Sequence, residues 1–267
     1  MSGSNPVFRI IVRRTLQASV IAILLHGLLG WPLSGSHALG LFLTPALGLY
    51  FIFVFVAPWT WGLPISTRLP TKENVVALTF DDGPSETSAK ILDILREYRV
   101  PATFFVVGEA VAGFPEIIRR MVAEGHGVGI HAWRHQTFVG LGSSRISEEI
   151  LRTEAAILLA SPEAGEARWL RPPYGFKSLR ALWVAHRLSL HHVAWSVDSR
   201  DYRESCPEEI ALRCLALFKP GAIVLLHDGS ENQATIKALP LILEGLKERG
   251  YQCVPLSPNP NGYFLEQ

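Results

Sequence analysis

The first 72 residues of this 267-residue chain contain no aspartate or glutamate, although 24 acids follow them. Between Thr15 and Thr67 there is no lysine or arginine either, so 53 consecutive residues carry no formal charge. One membrane-crossing helix needs only about 20 apolar residues. Leu16–Trp31 is a first apolar run and Leu39–Ala57 a second, separated by the polar, turn-like Pro32–His37. Trp59 and Trp61 then fall where an interfacial aromatic belt would lie. This predicts an N-terminal membrane region over residues 1–67 with spans at about 16–31 and 39–57. The first run also fits a signal peptide, with Arg13 and Arg14 ahead of it and small residues near Ser36-His37-Ala38. Arg9, Arg13 and Arg14 precede the pair, Arg68 and Lys72 follow it, and the connector holds no basic residue. The positive-inside rule then places both ends in the cytoplasm.

Excess charge of one sign is also missing. The 25 Lys+Arg balance 24 Asp+Glu, which excludes a nucleic-acid binder driven by bulk positive charge. At 48% hydrophobic residues the chain is no disordered polymer. The three cysteines (Cys206, Cys214 and Cys253) are odd in number and show no CxxC spacing, excluding a disulfide framework and a cysteine zinc site. Internal repeats and low-complexity tracts are absent.

What is present, after Pro70, is alternation. Val75–Phe80, Ala102–Val107, Gly127–Ile130, Arg168–Leu170, His192–Val197, Ala222–Leu226 and Tyr251–Pro255 read as short strands. Helical patterns stand between them at Ser85–Tyr98, Pro115–Glu124, Ser147–Leu159, Ser178–Arg187, Pro207–Phe218 and Thr235–Arg249. Continuously apolar strands alternating with helices predict a parallel sheet. About seven units in such a short domain predict an α/β barrel of less than eightfold regularity.

The ionisable residues follow the strands. Asp81 and Asp82 follow VVALTF, His131 follows GVGI with His135 four residues on, and Arg171 follows RWL. Asp198 follows VAWSV with Asp201 three beyond, and His227 follows AIVLL. In β/α barrels the C-terminal strand ends are where active sites are built. One carboxylate with two imidazoles makes a three-ligand zinc site with an open position. Of two adjacent carboxylates, one can hold the metal while the other faces the substrate as a base, since successive side chains diverge. Arg171 suits the role of orienting that base, and His227 that of a proton donor.

These residues resemble the polysaccharide deacetylases, the NodB homology domain of carbohydrate esterase family 4, from about residue 71 to 267. Five motifs match in order: TFDDGP at Thr79–Pro84, HAWRH at His131–His135, RPPYG at Arg171–Gly175, DSRDY at Asp198–Tyr202 and LLH at Leu225–His227. The resemblance implies a distorted (β/α)7-like barrel and a divalent metal, with Zn2+ the expected ion. It assigns Asp82, His131 and His135 as metal ligands, Asp81 as general base, Arg171 as its partner and His227 as general acid. Asp201, or alternatively Asp198, would tether His227. The Tyr174 backbone N–H would hold the oxyanion, Leu225 would line a pocket for the acyl methyl, and Tyr202 would wall the substrate groove. Two positions depart from the family pattern: Ala132 stands in place of a loop-supporting Ser or Thr, and Tyr202 in place of Trp.

The implied activity is hydrolytic removal of N-acetyl groups from an amino-sugar carbohydrate of cell-wall or chitin-like type. The predicted bilayer anchor keeps a second substrate open, a lipid-linked amino sugar at the membrane surface. A third alternative is an inactive, membrane-anchored carbohydrate-binding module. No nucleic-acid partner is expected.

Overall fold

The computed structural model describes residues 65–256, except 177, 230 and 231, together with the isolated residue 48. The two apolar runs of the N-terminal region otherwise lie outside the described residues. Among the described residues no helix is long and apolar enough to cross a membrane.

Among the described residues, nine strands and seven α-helices follow one another, mostly in alternation. The strands are β1 (Ile65–Ser66), β2 (Val75–Asp81), β3 (Thr103–Val106), β4 (Gly127–Ile130), β5 (Trp169–Leu170), β6 (His191–Val193), β7 (Val197–Asp198), β8 (Ala222–His227) and β9 (Gln252–Cys253). The helices are α1 (Glu86–Tyr98), α2 (Gly108–Gly113), α3 (Pro115–Ala123), α4 (Ser143–Ala160), α5 (Leu179–Arg187), α6 (Pro207–Leu217) and α7 (Gln233–Glu248). Helix α1 begins where the Ser85 hydroxyl accepts the Thr87 N–H, and the Ser88 hydroxyl accepts the Ser85 N–H in return, a reciprocal cap that satisfies free amides of the first turn. Helix α4 starts one turn earlier than its apolar periodicity indicates. Helix α2 is too short to leave a periodic signal.

All strand pairings are parallel, in the order β1-β6-β5-β4-β3-β2-β8-β7, with β9 beside the start of β2. The expected barrel is corrected in one respect. Among the described residues no pairing joins β7 back to β6 or β1, so the sheet is a curled half-barrel with a seam. The predicted strand His192–Val197 divides there into β6 and β7. Only Ala194, Trp195 and Ser196 lie between Val193 and Val197, a reach of at most about 14 Å, so the sheet must curl until its two sides nearly meet. At the seam the Ala194 N–H donates to Ser66 and the Ser196 N–H to Ile223.

Alternation along each strand sorts side chains into two layers. Val76, Leu78, Phe80, Phe104, Val106, Ile130, Leu170, Val224 and Leu226 join the large core beneath the helices. Ala77, Phe105, Trp169, Val193 and Ile223 form a small second cluster inside the curl. The inside is tight: a Cβ on Gly129 would come within 2.8 Å of the Phe105 ring. Thr79, Asp81, His131, Arg171, Leu225 and His227 share the inward parity, nearer the C-terminal strand ends.

Arg171 fills the upper part of this interior and is fully buried. Its Nη1 donates to Asp81 Oδ1 at 2.7 Å and Thr79 Oγ1 at 2.8 Å, and its Nη2 to the Ala194 carbonyl at 3.0 Å. Its Nε reaches the Val193 carbonyl at 3.4 Å. The guanidinium lies 4.1 Å from the Phe105 ring centroid. One side chain thus ties β5, β2 and the seam. Removing one partner of a buried pair strands the other charge. Arg171→Ala is therefore expected to lose about 3–5 kcal/mol of folding stability in urea titration. A loss under about 1 kcal/mol, the range of an exposed pair, would contradict this placement.

Candidate active site and metal centre

Strand β2 ends in Asp81, and the next residue turns away. Asp82 adopts φ 80°, a left-handed conformation uncommon outside glycine. This swings its carboxylate toward the loop after β4, where His131 and His135 stand. Asp82 Oδ1 lies 3.1 Å from His135 Nε2 and 3.4 Å from His131 Nε2. One ligand atom from each of the three residues falls within 4.8 Å of the others.

Second contacts orient this triad. His131 Nδ1 sits 2.5 Å from the Arg171 carbonyl oxygen. A carbonyl only accepts, so Nδ1 carries a proton, and this bond turns the Nε2 edge of the ring toward Asp82. Asp82 Oδ1 is itself buried and is faced by both imidazole Nε2 atoms. A buried carboxylate oxygen converging with two imidazole nitrogens is a donor set that suits a divalent cation, so the residues fit the expected metal. His135 packs its ring 4.5 Å from that of Tyr174, whose hydroxyl donates to the His135 carbonyl at 3.3 Å.

Across β2, Asp81 and His227 are register partners on neighbouring strands, which puts their backbones about 4.8 Å apart. His227 Nδ1 meets Asp201 Oδ1 at 2.6 Å. Asp201 Oδ2 accepts both the His227 N–H at 2.8 Å and the Thr235 hydroxyl at 2.7 Å. Burial disfavours the imidazolium, but the bond and charge of Asp201 outweigh it, helped by Asp81 and Asp82, and raise the His227 pKa to about 9. The pair therefore stabilises the fold fully below the ordinary value of 6.5, and that contribution fades as pH climbs through about 9. Of the two aspartates left open by the sequence, Asp201 makes this bond. Asp198 instead accepts the Arg200 N–H at 2.9 Å, shaping the turn between them.

The remaining expected residues surround the mouth. Tyr174, φ 61°, turns sharply after Arg171 and is half exposed. Tyr202 meets the His227 ring edge-on at 5.5 Å. Leu225 is buried on the inward face of β8. Among the described residues, Asp82, Ala132, Tyr174 and Arg200 are four of the six non-glycine residues with positive φ, so backbone strain concentrates in the loops that carry the site.

Two buried carboxylates escaped the sequence reading. Asp228 accepts the Gly83 N–H at 3.0 Å and the Ser88 hydroxyl at 2.5 Å. A Cβ at position 83 would collide with it, which explains the glycine of TFDDGP. Burial, with the charges of Asp82 and Asp81 adding, pushes its pKa up to about 7 against the bonds from Ser88 and Gly83. Glu149, on α4, accepts from Arg134 and Gln136, the residues on either side of His135. Its signal was available: it occupies a core position of the stripe Ile146, Ile150, Thr153, Ile157.

The polysaccharide deacetylase family model matches residues 68–193. The chitooligosaccharide deacetylase of Bradyrhizobium sp. (strain ANU 289) is 40% identical over 194 residues, covering 68% of this chain and 88% of that protein. Among solved structures, a peptidoglycan N-acetylglucosamine deacetylase superposes with TM-score 0.70 at 33% identity, over 75% of this chain and 95% of its own. A pseudoenzyme of the same esterase family from Bacillus anthracis superposes with TM-score 0.65 at 29% identity, over 71% and 66%. The five motifs, the half-barrel that gathers them and these relatives agree: the chain belongs to the polysaccharide deacetylase family and is a carbohydrate N-deacetylase.

Proposed function

We propose that the chain is a divalent-metal-dependent enzyme, with zinc the expected ion, that removes N-acetyl groups from cell-wall or chitin-like amino sugars. One observation carries this reading: Asp82, His131 and His135 converge between an arginine-paired aspartate and an aspartate-paired histidine. A divalent ion held by the three ligands would supply Lewis acidity to the acyl oxygen and the attacking water.

The rest falls to the chain. Arg171 occupies Asp81 Oδ1, so Oδ2 is the atom left to take the proton of the attacking water. The Tyr174 backbone N–H, presented by its left-handed turn, donates to the oxyanion as it develops. His227, kept protonated by Asp201, delivers a proton to the departing nitrogen and leaves a free amine and acetate. Leu225 bounds the space for the acyl methyl, and Tyr202 offers a face to the sugar. Asp81, Asp82, His131, His135, Arg171 and His227 all match the family's motifs, which sets this reading against that of an inactive relative.

The uncharged residues 15–67 support a second reading of the substrate. We propose that they anchor the chain to a bilayer, the catalytic domain facing the cytoplasm by the charge rule, which would bring a lipid-linked amino sugar within reach. Acetate release from N-acetylglucosamine oligomers by the full-length chain in detergent separates the two. Release that stops with chelator and returns with zinc is expected. Zinc-loaded, folded protein that releases none would favour the lipid-linked substrate. Protein that binds no metal would remove the mechanism.

The pH profile tests the acid. His227 must be protonated to act, and the bond to Asp201 raises its pKa, so the wild-type rate is expected to persist above the ordinary histidine range. Asp201→Asn removes the charge that raises that pKa. The alkaline limb should then move down by roughly one pH unit or more, toward the ordinary histidine range. A limb that stays in place would show that another group is the acid.

A further inference from the structure

The loop joining the two histidines is held from outside the site. His131 needs little help: its N–H donates to the Val106 carbonyl at the end of β3, and its ring is fixed by the Arg171 carbonyl. Around the His135 ring stand Tyr174, the His131 ring and Asp82 Oδ1, all of them side chains of the site itself. The position of His135 depends on the course of residues 132–136. Ala132, buried with φ 72°, has no hydroxyl to stiffen that course.

The Glu149 carboxylate brackets His135. Its Oε2 accepts the Arg134 N–H at 2.8 Å, and its Oε1 accepts the Gln136 side-chain amide at 3.1 Å. Arg145 Nη2, one helical turn before it on α4, lies 3.0 Å from the same Oε1. The start of the loop is clamped separately, by the Gly108 and Glu109 N–H groups of α2 donating to the Ala132 and Trp133 carbonyls at 3.0 Å each. Glu149 is 1% exposed, in a helix stripe otherwise made of isoleucine and threonine. An acid at such a position costs stability unless its oxygens are matched, and the groups that match them include the residues on either side of His135.

We propose that Glu149 is a positioning residue for the metal centre: it sets His135 by bonding both of its neighbours, doing from α4 what a hydroxyl at position 132 would do from within the loop. The inference rests on reading Asp82, His131 and His135 as a metal site.

Chelator-competition titration of zinc into the full-length chain tests it, beside the melting temperature of the metal-free protein. Loss of an outer-shell partner typically weakens metal affinity about 10–100-fold, and Glu149→Ala is expected to fall in that range. Glu149→Gln should recover most of the loss. Its carbonyl can take the Arg134 N–H while Gln136 turns its own oxygen toward the new amide. A Glu149→Ala protein that melts lower yet binds zinc as the wild type does would overturn the proposal, since Glu149 would then serve the fold alone. If that variant does not fold, Gln136→Ala removes one of the two bonds from a partly exposed side chain. Several-fold weaker zinc binding supports the proposal there, and an unchanged dissociation constant overturns it. A wild-type chain that binds no zinc would overturn the site reading, and Glu149's role with it.

Discussion

The buried pair of Arg171 and Asp81 governs both the shape of this fold and its chemistry. A fully enclosed guanidinium is tolerated because all three of its nitrogens find acceptors and an aromatic face lies beneath it. Those acceptors belong to β2 and to the seam where β6 gives way to β7. The arginine therefore closes by side-chain bonds the gap that strand pairing leaves open. It also fixes one oxygen of Asp81 and, through its own carbonyl, the proton on His131. The proposed base and a proposed metal ligand are thus aligned by a single residue at the end of a two-residue strand.

Period-two alternation does the rest. The same parity that sends Val76, Leu78 and Phe80 under the helices sends Thr79 and Asp81 inward, and it delivers His131, Arg171 and His227 to the same mouth. Helix packing on the outer face thereby determines which atoms meet on the inner one. The left-handed turns at Asp82, Ala132 and Tyr174 then redirect individual groups, and such turns persist only where surrounding bonds hold them. Asp228 performs that service for the turn after Asp82. Glu149 performs it for the loop before His135.

Much of this was legible in the residues. Strand-then-charge patterning located the mouth, and the order of the five motifs assigned Asp81, Asp82, His131, His135, Arg171 and His227. Other features were not legible. His192–Val197 looks like one apolar strand, because nothing local records that its middle carbonyls serve Arg171 rather than a neighbouring strand. The choice between Asp198 and Asp201 depends on a three-residue turn whose direction composition does not reveal. Asp228 follows His227 directly, yet its partners Gly83 and Ser88 are more than 130 positions away. A glutamate inside an isoleucine stripe was a visible anomaly whose meaning required knowing which loop crosses that helix.

The measurement closest to the centre of this account is acetate release by Asp81→Asn, made beside a determination of its bound zinc. Asp81 is assigned to proton transfer and Asp82 to the metal. The variant should therefore retain zinc at the wild-type stoichiometry while its turnover falls by about 10²-fold or more, the share of a general base. Turnover near the wild-type level with zinc in place would contradict the assignment of the base, and with it the division of labour between the two adjacent aspartates.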